Sequence, residues 1–159
     1  MQIRVVAVGK VKEKFIQDGI FEYEKRLRPY VKLHVAEVTE EKRPQSASPS
    51  VASLATDKEG ERILAVLPEG YFVIALDING EHWSSEELAV WFGEQELSRK
   101  NQLAFVIGGD LGLSPAVLAR SNRRLSLSRM TFTHPIARLL LMEQLYRAFR
   151  ILRKEPYHK

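Results

Sequence analysis

Cysteine is absent from the 159-residue chain, which excludes disulfides, a thiolate zinc site and a thiol nucleophile together. No apolar run reaches the roughly 18 residues of a membrane span, and the opening MQIRVVAVGKVKEK has no signal-peptide layout. The common phosphate loops are missing as well. The one glycine-rich stretch, FVIGGDLGLSP (105–115), has no Lys after Gly112, so it is not a G-x-x-x-x-G-K-[ST] loop. Its G-G-x-x-G order after a late strand also differs from the G-x-G-x-x-G that opens a dinucleotide fold. A cytoplasmic protein without a membrane partner or a metal fits these absences.

Negative charge is scarce in one half only. Residues 1–98 hold 12 Lys+Arg against 17 Asp+Glu, a balance of −5, while residues 99–159 hold 12 against 3, a balance of +9; together they give the net +4. A basic half points to a polyanion such as nucleic acid, because neutralising phosphates releases counterions. A solvated basic face without a partner is the plainer alternative. The 45% apolar share is ordinary for a folded domain, and this length builds one real core.

Hydrophobic periodicity orders the chain. QIRVVAV (2–8), YFVIALD (71–77) and QLAFVIG (102–108) read as strands buried on both faces, and VKLHVAEV (31–38) alternates as a strand should. Helices are expected over 12–28, with Phe15, Ile20, Tyr23 and Leu27 near one face, and over 51–67. Ser84 and Glu87 form a capping box for 85–98, and Ser114-Pro115 opens a short helix to about Ser121. RLSLS (124–128) reads as a short strand and His134–Lys154 as a long helix. TEEKRPQSASPS (39–50) reads as a mobile loop and INGEHW (78–83) as a turn. The reading is a single α/β domain with a mainly parallel sheet.

Three glycines in five positions mean that something approaches the backbone closely at 108–112. Either a ligand sits outside the strand ends or the loop is a tight turn with none. Near the C-terminus, Glu143, Arg147, Arg150 and Lys154 share one helical stripe, leading into PYHK with Tyr157 and His158. A solvated face with a Glu143–Arg147 pair is the plainer view of that stripe. His34 and His82 read as incidental, and His134, before Pro135, as structural.

The ordered set IRVVAVGKVKE, FVIGGDLGLS, LSLSRMTFTHPIARLLLMEQLYRAFRI and PYHK resembles the ribosomal RNA large-subunit methyltransferase H family of the SPOUT superfamily, over the whole chain. The resemblance implies a Rossmann-like sheet, helices on both faces, and a C-terminal trefoil knot, a rare exception to unthreaded chains. It also implies a homodimer that binds S-adenosyl-L-methionine and methylates N3 of a pseudouridine in the 23S rRNA of the ribosome. Carried over, Leu76, Gly108, Leu127, Ser128, Arg129, Met130, Thr131 and Phe132 bind the cofactor. On that view Gly108 and Gly109 let the backbone close on the cofactor where a Cβ would collide.

Catalysis is expected from His158 as the base that removes the N3 proton, with Tyr157 stacking or hydrogen-bonding and Arg153 or Arg147 stabilising the base anion. Two other classes stay open: a SPOUT enzyme acting on another RNA such as tRNA, and a non-enzymatic ribosome- or RNA-binding module. A flavodoxin-like nucleotide protein is more distant.

Overall fold

The computed structural model describes all residues 1–159. Five parallel strands form one sheet in the order β2-β1-β4-β3-β5, with β1 Gln2–Val8, β2 Lys32–Val38, β3 Phe72–His82, β4 Gln102–Ile107 and β5 Arg123–Ser126. Five helices connect and cover them: α1 Lys14–Leu27, α2 Pro49–Val66, α3 Ser85–Leu97, α4 Pro115–Arg120 and α5 His134–Leu152.

Alternation along β1 divides the core. Ile3, Val5 and Ala7 join Ile20 of α1, Phe92 of α3 and Leu141, Leu145 and Phe149 of α5 in one buried cluster. Val6 and Val8 point the other way, onto Ile63 of α2 and Val117 of α4. Helices therefore cover both faces, and the central strands are apolar throughout because neither face meets water. Full burial of each such side chain contributes about 1.5–3 kcal/mol. No helix is long and apolar enough to cross a membrane.

Several boundaries depart from the sequence reading. Phe15, expected inside, is 71% exposed, and its neighbour Ile16 takes the buried position. The first helix starts at Lys14, two residues late, and its inward stripe is Ile16, Ile20 and Leu27. The helix expected from 51 opens two residues earlier, where Ser48 accepts the Val51 N–H at 3.3 Å ahead of Pro49. The last helix ends at Leu152, and Lys154 lies beyond it with a left-handed φ of 57°.

INGEHW is not a turn. The third strand runs on to His82 and pairs again with β5, as Glu81↔Leu125 and His82↔Ser126. Leu125 also pairs with Leu76, so Asp77–Gly80 have no partner on β5 and bulge from the sheet. A Cβ on Gly80 would lie 2.7 Å from the Leu125 nitrogen, so only glycine lets the bulge sit this close to β5. This irregularity builds one wall of the site.

Candidate active site

A cavity of about 1020 Å³ opens outside the carboxyl ends of β3, β4 and β5, where parallel sheets commonly take ligands. Three chain segments enclose it: the β3 bulge with Leu76–Asn79, the loop Ile107–Leu113, and Leu125–Ala137 leading into α5, of which Arg129 and Ile136 do not touch it. Its walls are chiefly apolar, with Leu76, Ile78, Leu118, Leu127, Met130 and Phe132 among them. Ser126 donates to the Ser128 carbonyl at 2.9 Å and Ser128 Oγ accepts the Met130 N–H at 3.0 Å, which fixes the turn of the third segment.

Four carboxylates, Glu13, Glu40, Asp77 and Asp110, also line the cavity. Asp110 is held below its usual range by its hydrogen bond from Arg43 at 2.7 Å. Asp77 has Arg124 at 3.7 Å. Glu13 and Glu40 have no ion-pair partner, so the cavity offers negative charge free for a cation. Sequence reasoning missed both: Glu13 precedes α1 and Glu40 follows β2, and only the fold brings them here. His134 lines the cavity too, with Nδ1 buried and without a hydrogen-bond partner.

The glycine loop closes on itself rather than on open space. Gly112 has φ +81° and its N–H reaches the Gly109 carbonyl at 3.1 Å. A Cβ on Gly108 would stand 2.5 Å from the Gly112 carbonyl oxygen, an impossible approach to backbone. One on Gly109 would meet Glu59 Oε1 at 3.2 Å and Val8. Within the chain, these two glycines make room for the loop and for α2. The tight loop then presents its outer surface to the cavity.

Segment 39–48 has no helix or strand, as expected, but it is pinned rather than loose. Arg62 donates to the Thr39 carbonyl at 2.9 Å and pairs with Glu41, while Arg43 reaches across to Asp110. Glu59, buried in α2, accepts the Glu41 N–H at 2.9 Å. This strap joins β2 to the glycine loop and sets Glu40 in the wall.

A second constellation surrounds the C-terminal tail. Tyr157 donates to Glu143 Oε1 at 3.0 Å, so its oxygen accepts from Tyr23 at 3.1 Å. Burial, then the hydrogen bonds to Tyr23 and Glu143, push the Tyr157 phenol well above its ordinary value. It stays protonated near neutral pH and serves as a donor, not a base. Arg147 donates to Glu143 Oε1 at 3.0 Å and lies 4.8 Å over the Tyr157 ring.

His158 bridges two charged groups. Its Nε2 is 2.8 Å from Glu86 Oε1, and a carboxylate only accepts, so Nε2 carries the proton. Its Nδ1 then accepts from Arg147 at 3.3 Å. Both ring nitrogens are engaged, so His158 acts as a base only after one contact breaks. Glu86 is held below its usual range by its own backbone N–H and by the hydrogen bond from His158. Arg153 stands apart, 3.3 Å from Glu96 on α3.

The two sets of sequence-derived candidates thus fall in two places. Leu76, Gly108, Leu127, Ser128, Met130, Thr131 and Phe132 line the cavity, and Arg129 does not. Arg147, Tyr157 and His158 gather around Glu143, nine residues along α5 from His134, or ~14 Å at 1.5 Å per residue. One chain does not bring them together.

Comparison with known proteins agrees with the arrangement of the fold. A family model described as "Predicted SPOUT methyltransferase" matches residues 1–158. The chain is 52% identical over 159 residues to the ribosomal RNA large subunit methyltransferase H of Carboxydothermus hydrogenoformans, and 52% identical to that of Listeria monocytogenes, with both chains covered in full in each case. A protein of Methanoregula boonei provisionally given the same name is 57% identical over the same length. Parallel sheet, strand-end cavity and end-to-end sequence match agree, and the chain belongs to the ribosomal RNA large-subunit methyltransferase H family of SPOUT methyltransferases.

Proposed function

We propose that the chain, as a single domain paired in a homodimer in the cytoplasm, methylates N3 of a pseudouridine in 23S rRNA on the ribosome, using S-adenosyl-L-methionine. The observation that carries this reading is the strand-end cavity, which joins apolar walls to the unpaired carboxylates Glu13 and Glu40. Its volume lies at the upper end of the ~300–1,000 Å³ typical of small-molecule sites. The wall chemistry fits a cofactor with an adenosine, a sulfonium and an ammonium group: leucines and Met130 against the base, carboxylates near the positive charges. When bound, that cofactor supplies an electrophilic methyl group on sulfur. Leu127, Ser128, Met130, Thr131 and Phe132, with Leu76 and Gly108, are the residues assigned to hold it, and Arg129, outside the lining, is not.

A trefoil knot belongs to the same proposal. After β5, at one edge of the sheet, the chain returns past the glycine loop to His134 and Arg138. Arg138 donates to the Gly9 carbonyl at 2.9 Å at the end of β1. That course past an earlier loop supports threading.

The residues of the tail cluster would handle the nucleobase. The imide N3–H is neutral near pH 7, so a base is needed to make it a nucleophile. His158 is that base once the incoming nucleobase displaces Glu86 or Arg147. Arg147 or Arg153 steadies the resulting anion, and Tyr157, held protonated, donates or stacks. The ~14 Å along α5 between His134 and Glu143 supports pairing, with the tail of one protomer serving the cavity of its partner.

Incubating methyl-tritiated cofactor with purified ribosomes and, separately, with tRNA tests the reading. Label in 23S rRNA that is lost when pseudouridine is replaced by uridine is expected. Label in tRNA alone, or no label with RNA bound, would favour the other enzyme or a binding module and overturn the proposal.

A further inference from the structure

The sheet has a second concavity at its opposite end. It measures about 910 Å³ and lies against the amino ends of β1, β3 and β4, with Gln2, Phe72 and Gln102 in its lining. β4 runs from this hollow at Gln102 to the first cavity at Ile107, a separation of ~17 Å at ~3.3 Å per residue. No carboxylate lines it, whereas Arg99, Lys100 and Arg120 do.

Those three cations lack the carboxylate partner that other arginines of this protein have. Arg26, Arg43, Arg62, Arg138, Arg147 and Arg150 each sit against a carboxylate. Arg99 and Lys100 have no side-chain partner among the hydrogen bonds or ion pairs. Arg120 touches only the Tyr71 carbonyl, at 3.3 Å. Their charge is available to an outside group.

The neutral lining is donor-rich as well. Asn122 Oδ1 accepts the Val73 N–H at 2.7 Å, and since a backbone N–H can only donate, the amide orientation is settled by chemistry. Its NH₂ end remains free. Gln2 Oε1 likewise accepts from the Tyr71 hydroxyl at 3.1 Å, leaving another NH₂. Arg99 further holds a left-handed φ of 55°, where glycine or asparagine would be easier. A strained arginine, an adjacent lysine and two spare amides around one hollow match an anion with several acceptor oxygens.

We infer that this hollow is a phosphate-binding site that grips the RNA backbone away from the reacting nucleotide. It rests on the reading above only in taking the polyanion to be ribosomal RNA. Phosphate contacts of this kind fix orientation without reading sequence. They would seat the enzyme on folded RNA while the first cavity does the chemistry. A free mononucleotide offers the same oxygens, and the test separates the two sources.

The test compares R99N/K100N with K25N/K42N, an equal loss of charge at exposed, unpaired lysines elsewhere. Asparagine tolerates the left-handed backbone at 99. Ribosome affinity is measured against salt, and cofactor affinity and thermal midpoint are measured on the same samples. R99N/K100N should bind ribosomes about 10-fold more weakly than K25N/K42N. Its log–log salt slope should be shallower by roughly 1.5, as expected for two lost phosphate contacts at ~0.7–0.9 each.

Equal ribosome affinities for the two variants would overturn the inference. So would AMP binding that R99N/K100N abolishes without weakening the ribosome complex, since the hollow would then serve a free nucleotide. Failure of wild-type protein to bind S-adenosylmethionine, with the ribosome difference intact, would sink the enzymatic reading and leave this one standing.

Discussion

Burying a carboxylate without a direct ion pair costs free energy, and Glu59 is such a group, 4% exposed within α2. Burial raises its protonation range; the Glu41 N–H opposes this, Glu40 and Asp110 add to it, and Arg43 partly offsets them. A raised value in the folded state means that folding favours the protonated acid. The charged form therefore costs stability above that value, and the cost is relieved as pH falls through it. Glu59→Gln keeps an acceptor oxygen for the Glu41 N–H and removes the charge. Its denaturation midpoint should exceed the wild type's at pH 7, with the advantage shrinking as pH falls toward ~4.3, the ordinary glutamate value. A lower midpoint at pH 7 would mean that the negative charge itself holds the strap. None of this was legible beforehand: Glu59 is one acid among several on a weakly patterned helix, and the groups that act on it lie 16 or more residues away.

Elements were legible where one local rule governed them. The capping box at Ser84 makes both expected hydrogen bonds, Glu87 N–H to Ser84 Oγ at 3.1 Å and Ser84 N–H to Glu87 at 2.6 Å. Ser114 caps α4 through the Val117 N–H, as read from Ser-Pro. The central strands were plain because burial on both faces leaves continuous apolar runs. The β3 extension was hidden because Ile78-Asn79-Gly80 carries turn chemistry, and only pairing with β5, over 40 residues on, keeps it extended. The glycine loop was recognised but its packing on itself was not, since a single sequence cannot show that Gly108 faces Gly112. Gly108→Ala tests that packing. The added methyl meets backbone, so a loss of about 1–3 kcal/mol is expected in denaturant unfolding. Cofactor affinity by calorimetry should fall with it, because the loop forms one wall. Unchanged stability would show that the loop yields without strain.

At the scale of the whole molecule, the separation of cavity and tail along α5 decides what a working unit contains. The resemblance named both sets of residues, but their distance apart became visible only once the long helix was placed. Two chains related by a two-fold axis could set each tail against the other's cavity, whereas one chain could not without refolding α5, whose Leu141, Leu145 and Phe149 are fully buried. Mixing two damaged proteins reads this directly. His158→Ala should reduce methyl transfer at least ~10²-fold with cofactor affinity intact. Leu127→Arg should abolish cofactor binding by filling the cavity and setting a cation against a cationic ligand. In a remixed population, half of the dimers carry one of each chain. If tails act across the interface, each such dimer keeps one complete site of two, so activity should recover to about a quarter of wild type. Tails that acted within their own chain would leave every mixed site broken, and the mixture would stay as inactive as its parts.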